Sequence, residues 1–277
     1  MYKVVIPFRQ YLLASKLFPE PETSAIADWI QFRKNEPIRD GSLEQRSCIP
    51  EKLKYPGWEI CTDHEKRTPL LLWIMYRRGE PIRNKLLEPQ SGIPDELKYP
   101  GWEIYMDNIH ATPLLYWIQY RKNEPIPKEL FYLNYQLYKD IFSNTPLIYW
   151  IQCRGHEPIL NLSLEPRSGI PKELLYPGCQ FDRNGTGDTP LMDWIKSRNN
   201  EPIPDELKYS GWQTDKNFNN ESLVMLWIVY RENEPIPEEL KYSGWQTDKN
   251  YYGLTPIAYW TGYRPNEPIP EELNQIS

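Results

Sequence analysis

The sequence predicts an all-α protein, a helical repeat solenoid, on three observations. Seven tryptophans, Trp29, Trp73, Trp117, Trp150, Trp194, Trp227 and Trp260, recur at intervals of 44, 44, 33, 44, 33 and 33 residues. Each lies in a copy of one pattern, written most fully as Thr112-Pro-Leu-Leu-Tyr-Trp-Ile-Gln-Tyr-Arg-Lys-Asn-Glu-Pro-Ile-Pro-Lys-Glu-Leu130. The other four tryptophans, Trp58, Trp102, Trp212 and Trp245, share a second fixed register. Self-similarity at such a period marks stacked supersecondary units, none of which can bury its apolar face alone.

The chain opens with residues 1–22, an apolar run interrupted by Arg9, Gln10 and Lys16 and stopped by Pro19 and Pro21. That run is too short and too charged to span a bilayer, and it reads as an N-terminal capping segment. Residues 23–277 then form an array of seven units, the last truncated. The uncapped last unit leads to the expectation of end-to-end self-association.

Within each unit the first helix begins at a hydroxyl: Ser24, Thr68, Thr112, Thr145, Thr189, Ser222 or Thr255. A hydroxyl at the N-cap accepts a bond from an orphan backbone N–H. Proline follows in five units, and its fixed φ suits the first helical position. Leu114, Trp117, Ile118 and Arg121 then fall on one helical stripe, and Pro125 is expected to end the helix. A shorter second helix is expected at Ile-Pro-Glu-Glu-Leu, as in Ile236 to Leu240, with Pro237 in its first position. After it comes Tyr-Pro/Ser-Gly-Trp, a turn with buried aromatics.

Five residues past that turn's Trp position stands Asp63, Asp107, Asp140, Asn184, Asn217 or Asn250. These are turn-makers through side-chain bonds to their own backbone, so a β-turn finger is expected at each. Insertions of 11 residues, Arg39–Ile49, Arg83–Ile93 and Leu160–Ile170, precede the second helix in the 44-residue units. Their common length marks them as built parts of one side of the array.

Composition narrows the function. The chain carries 28 prolines, about 10% where roughly 5% is average, yet its aromatics keep a strict register, which argues for order. Net charge is −6, against the clustered Lys and Arg that a nucleic-acid surface needs. No cysteine among Cys48, Cys61, Cys153 and Cys179 recurs from unit to unit, and His64, His110 and His156 share no register. A disulfide framework and a zinc site are therefore not expected. Free thiols fit a reducing, intracellular and cytoplasmic setting. No spacing for a catalytic triad, phosphate loop or metal site is present, so the chain reads as non-enzymatic and without a cofactor. Arg at Trp+4 and Glu at Trp+7, present in all seven units, read as a structural ladder rather than seven acid/base sites.

The motif Asp/Asn-x-x-x-x-Thr-Pro-Leu at a 33-residue period resembles the ankyrin repeat, most closely in Asn250-Tyr-Tyr-Gly-Leu-Thr-Pro-Ile257. The resemblance implies a turn finger, two antiparallel helices and a loop per unit, and binding of other proteins. The chain departs from that family where the small Ala-Ala pair of the first helix becomes Trp-Ile, and where a proline opens a short second helix. Choline-binding modules, also aromatic, have units near 20 residues and do not fit the period.

Positions that recur build the scaffold, so specificity is expected where units differ. The candidate partner-binding residues are the tips His64, Glu65, Lys66, Asn108, His110, Phe142, Phe218, Asn219, Tyr251 and Tyr252, with Tyr116, Tyr149 and Tyr259 beside the helix tryptophans. Exposed aromatics are favoured at interface hot spots. The leading expectation is a protein–protein interaction scaffold. The alternative is an aromatic-rich carbohydrate- or peptide-binding module, which predicts exposed indole faces.

Overall fold

A computed structural model describes residues 23–32, 49, 53–76, 93–122, 124–154 and 169–274. The capping segment and most of each insertion lie outside these residues. The isoleucines that close the insertions, Ile49, Ile93 and Ile170, are buried. The chain divides into two compact units, Met1–Asp140 and Ile141–Ser277.

In the first unit α1 (Thr23–Phe32), α2 (Pro69–Tyr76) and α3 (Pro113–Tyr120) pack in sequence order, each against the next. In the second, α4 (Pro146–Cys153), α5 (Pro190–Ser197), α6 (Leu223–Tyr230) and α7 (Pro256–Tyr263) do the same, and the short α8 (Glu271–Asn274) packs on α7. The fold class is thus an all-α helical repeat. Among the described residues there is no strand, only an isolated antiparallel bridge between Lys216 and Ser222. No helix there is long and apolar enough to cross a membrane.

Three helices start as the sequence predicts, whereas Ser222 and Thr255 stand at the N-cap without a side-chain cap bond and Ser24 lies inside the helix that begins at Thr23. Thr112, Thr145 and Thr189 accept a bond at Oγ1 from the N–H three residues on, and proline holds the first helical position. Helices of eight residues would not persist alone in water; packing supplies what propensity cannot. In α2 and α6 the whole run through Trp-Ile is buried, because each is covered by a helix on either side. Ten tryptophans are buried and Trp29 is half-buried. Truncating one such indole costs about 3–5 kcal/mol.

The helix ends correct the sequence expectation. α3 stops at Tyr120, not at Pro125, and Arg121 leaves the α region at φ −101°, ψ 52°. The cause lies one repeat earlier. Arg121 donates from Nε to the carbonyl of Ile74 (3.0 Å) and from Nη2 to that of Trp73 (3.4 Å). Arg231 bonds in the same way to Ile195 (2.9 Å) and Trp194 (3.4 Å), and Arg264 to Ile228 (2.8 Å) and Trp227 (3.1 Å). These are orphan carbonyls at a helix C-terminus, so each arginine caps the helix before its own. Each also lies over its own unit's indole, at 4.6–5.0 Å for Arg121, Arg198, Arg231 and Arg264. The indole N–H of Trp117, Trp194 and Trp227 donates to the carbonyl of the Glu-Pro-Ile proline at 3.2, 3.0 and 3.1 Å. The loop after the helix is folded back by that bond.

The second helix also differs from expectation. It shrinks to a three-residue 3₁₀ turn, such as Glu238–Leu240, with Pro237 at the N-cap rather than inside. Ile236 and Leu240 are nevertheless both buried. Neighbouring turns are tied by lysines: Lys208 reaches Asp205 (2.9 Å) in its own turn and Glu239 (2.7 Å) in the next, and Lys98 reaches Asp95 and Glu129 (both 2.8 Å). The Tyr-Pro/Ser-Gly-Trp segment turns through a left-handed glycine, φ 83–87° at Gly57, Gly101, Gly178, Gly211 and Gly244. Asn134 holds that place at φ 62°, one of the few other residues that tolerates it.

Candidate functional site: the row of turn tips

The fingers at Asp63, Asp107, Asn184, Asn217 and Asn250 are built around that side chain. Oδ1 of Asp107 accepts from the N–H groups of Ile109 (3.0 Å) and Ala111 (2.8 Å). Asn184, Asn217 and Asn250 repeat the bonds to the second and fourth residues on, at 2.9–3.0 Å. The third residue on is left-handed in each: Lys66, His110, Ser143, Gly187, Asn220 and Gly253 have φ between 59° and 80°. The side chain thus fixes a tight turn whose two outermost residues face outward.

Neighbouring tips are joined by backbone bonds. Phe218 N–H donates to the carbonyl of Thr186 (3.1 Å), Tyr251 N–H to that of Asn219 (2.8 Å), and Gly185 N–H to that of Phe142 (2.5 Å). In the first unit Asn108 N–H donates to the carbonyl of Glu65 (3.1 Å), and its side-chain amide to that of His64 (3.2 Å). The charges beside the second unit's tips are spent laterally: Arg183 on Asp215 (2.6 Å) and Lys216 on Asp248 (2.9 Å). Lys249 is exposed.

The structure brings most of the candidate residues into these rows. Phe142 is 59% exposed, Phe218 69%, Tyr251 and Tyr252 78% each. Tyr251 and Tyr252 meet edge to face at 5.4 Å. Asn108, His110 and Asn219 are exposed. His64 and Lys66 are exposed, and His64 Nε2 lies 3.6 Å from Oε1 of Glu65, which itself pairs with Arg67.

Three candidates need correction. Tyr116, Tyr149 and Tyr259 are buried, turned inward beside their tryptophans rather than outward to a partner. The Tyr116 hydroxyl donates to Asp107 (2.7 Å), and burial, then that carboxylate, push it far above the usual phenol range. Tyr259 donates to Glu221 (2.6 Å) and accepts from Asn250 (2.9 Å). These rings support the tips from below.

Sequence reasoning missed exposed Leu133, Leu137 and Phe181 at the other turn. The signal was available: Leu137 and Phe181 stand two residues past the Trp position, where the last two complete copies carry Thr214 and Thr247. It also missed Asp193, which takes the place of those tyrosines and is buried. Among the described residues no three His, Cys, Asp or Glu side chains converge to hold a metal.

Within each unit, sequential helix packing and hydrogen-bonded neighbouring turn tips define a helical repeat. No family model matches the chain, and no curated protein matches it either.

Proposed function

We propose that this chain is a divergent ankyrin-like array and a non-enzymatic protein–protein interaction scaffold, with the row of turn tips as its contact surface. The observation that carries this reading is the exposure of Phe142, Phe218, Tyr251 and Tyr252 on residues whose own backbones are pinned in the tip bonds. A backbone already ordered before contact loses little entropy on binding, and affinity depends on that saving. The mixture of Phe and Tyr with Gly, Asn and Ser resembles the composition that serves protein recognition in binding loops. A cytoplasmic setting belongs to the same reading, and the cysteine usage, with no position recurring from unit to unit, supports it. The carbohydrate alternative expected exposed indole faces; burial of ten tryptophans makes it the weaker reading.

The test is replacement of Phe142, Phe218, Tyr251 and Tyr252 together by Ser. A protein captured by the wild type from a reducing extract and then purified should bind the variant at least about tenfold more weakly, the size expected when hot-spot rings are lost. Thermal unfolding should barely move. Undiminished binding by the folded variant would sink the proposal.

A further inference from the structure

Beneath the tips of the second unit runs a connected polar chain. Asp193, on α5, is 4% exposed. Its Oδ1 accepts from Gln152 Nε2 on α4 (3.0 Å), and its Oδ2 from Asn184 Nδ2 (3.0 Å). Asn184 cannot turn its amide over, because its Oδ1 holds the N–H groups of Thr186 and Asp188. Asp188, 2% exposed, accepts from Lys196 Nζ (2.6 Å), Thr186 Oγ1 (2.5 Å) and Asn217 Nδ2 (3.1 Å). Asn217 donates to Glu221 (2.9 Å), which also accepts from the Tyr259 hydroxyl (2.6 Å), and that hydroxyl accepts from Asn250 (2.9 Å). The chain therefore passes under the tips at 184, 217 and 250.

One member is out of keeping. The position before the helix tryptophan is Asp28, Leu72, Tyr116, Tyr149, Leu226 or Tyr259 in the other copies; of the two aspartates Asp28 is exposed and Asp193 is buried. Its charged neighbours are Asp188 from the tip and Lys196 from its own helix. From the neighbouring helix Gln152 brings no charge, and from the next tip Asn217 donates both to Asp188 and to Glu221 beyond it. Lys196 is committed to Asp188, whose carboxyl is held below the usual range: burial opposes this, and the ammonium and donors outweigh it. Asp193 is left with two neutral amides. Burial pushes its carboxyl up to about 7, with the Asp188 charge adding to the rise and the amides and Lys196 opposing it.

We infer that Asp193 is a proton-sensitive latch for the tip at 184–188: the tip is closed while Asp193 is neutral and opens as it ionises. In the neutral form one oxygen keeps the Asn184 bond. The hydroxyl donates to Gln152 Oε1 once that exposed amide has turned over. On ionisation the carboxylate must be carried without a cation of its own, and water reaches it by opening the tip. The latch thereby regulates the contact surface proposed above, yet its measurement needs no partner, so each idea can fail alone.

The test is hydrogen exchange of the Gly185–Asp188 amides in the full chain, corrected for the intrinsic base-catalysed rate. Opening should increase roughly a hundredfold between about pH 5 and 7.5 and then level off, as a carboxyl tied to a buried neutral form requires. Amides of Ile109 and Ala111, above Tyr116, should stay flat. Asp193→Asn and, as a second variant, Asp193→Leu should abolish the dependence at 184–188. A pH-invariant wild type, or the same dependence in either folded variant, overturns the inference. The ¹³C titration of the Asp193 carboxyl in the wild type decides the case in which neither variant folds. A midpoint near 7 that coincides with the pH at which exchange at 184–188 levels off upholds the latch, and one in the ordinary aspartate range overturns it.

Discussion

At single residues, what recurs is structural because its partner belongs to the neighbouring copy. Arg231 shows this. Its guanidinium serves three carbonyls, of Ile195, Trp194 and Glu201, and lies over the Trp227 ring. Its ion pair with Glu234 (3.4 Å) is the lesser contact, since Glu234 is partly exposed and such pairs contribute about 0–1 kcal/mol. Burial lowers the guanidinium's proton affinity while Glu234 and Glu201 partly restore it, and arginine stays charged. A lysine ammonium cannot span three acceptors in one plane. Arg231→Lys is therefore expected to lower stability by roughly 2–4 kcal/mol, and Glu234→Gln by under about 1 kcal/mol. Urea unfolding of the two variants checks this, and equal losses would mean that the ion pair, not the cap, matters.

Turns and helices were legible in the sequence to different depths. The register of Trp, the hydroxyl-proline starts and the left-handed Gly of the Tyr-Pro/Ser-Gly-Trp segment placed the helices and turns, because each acts within a few residues of chain. The helix ends were hidden, because Arg121 finds its acceptor 47 residues earlier. The tips were legible as turns from Asp107 or Asn184 alone. What lies beneath them depends on a contact nine residues away: Asp107 with Tyr116, Asn184 with Asp193, Asn250 with Tyr259. A pattern of single positions could not say whether those tyrosines faced in or out. Two glycines separate turn strain from packing. Gly211 and Gly187 are both left-handed, at φ 83° and 80°. A Cβ at Gly211 meets nothing, whereas one at Gly187 would lie 2.5 Å from Cδ1 of Phe218. Gly211→Ala is expected to cost about 1 kcal/mol, the conformational penalty alone. Gly187→Ala should cost distinctly more and displace the Phe218 ring. Thermal unfolding, with the Phe218 ring resonances followed by NMR, tests this; equal penalties and an unmoved ring would show that the tip yields.

For the molecule as a whole, charge is the property that single repeats conceal. Residues 199–277 hold 13 acidic and 6 basic side chains, a net −7, so residues 1–198 carry +1 of the total −6. Two of those six bases, Arg231 and Arg264, are buried caps that cannot face outward. Three more are engaged in lateral pairs: Lys208 with Asp205 and Glu239, Lys216 with Asp248, and Lys241 with Glu238 and Glu272. The acids outnumber them, and the Asp205 and Glu238 side chains are almost fully exposed. Two electrostatic effects therefore oppose each other in these repeats. The short pairs favour the fold locally but are solvent-exposed, and each contributes only about 0–1 kcal/mol. Repulsion among the remaining acids acts over longer distances, and salt screens it first, since the Debye length falls to about 10 Å at 0.1 M. Raising sodium chloride from about 0.02 to 0.5 M should therefore stabilise the second unit, by roughly 0.5–1 kcal/mol. The gain should be read from hydrogen exchange within α6 and α7. A loss of protection there with salt would show that the lysine pairs outweigh the repulsion, and would move them from incidental surface contacts to part of what holds successive repeats together.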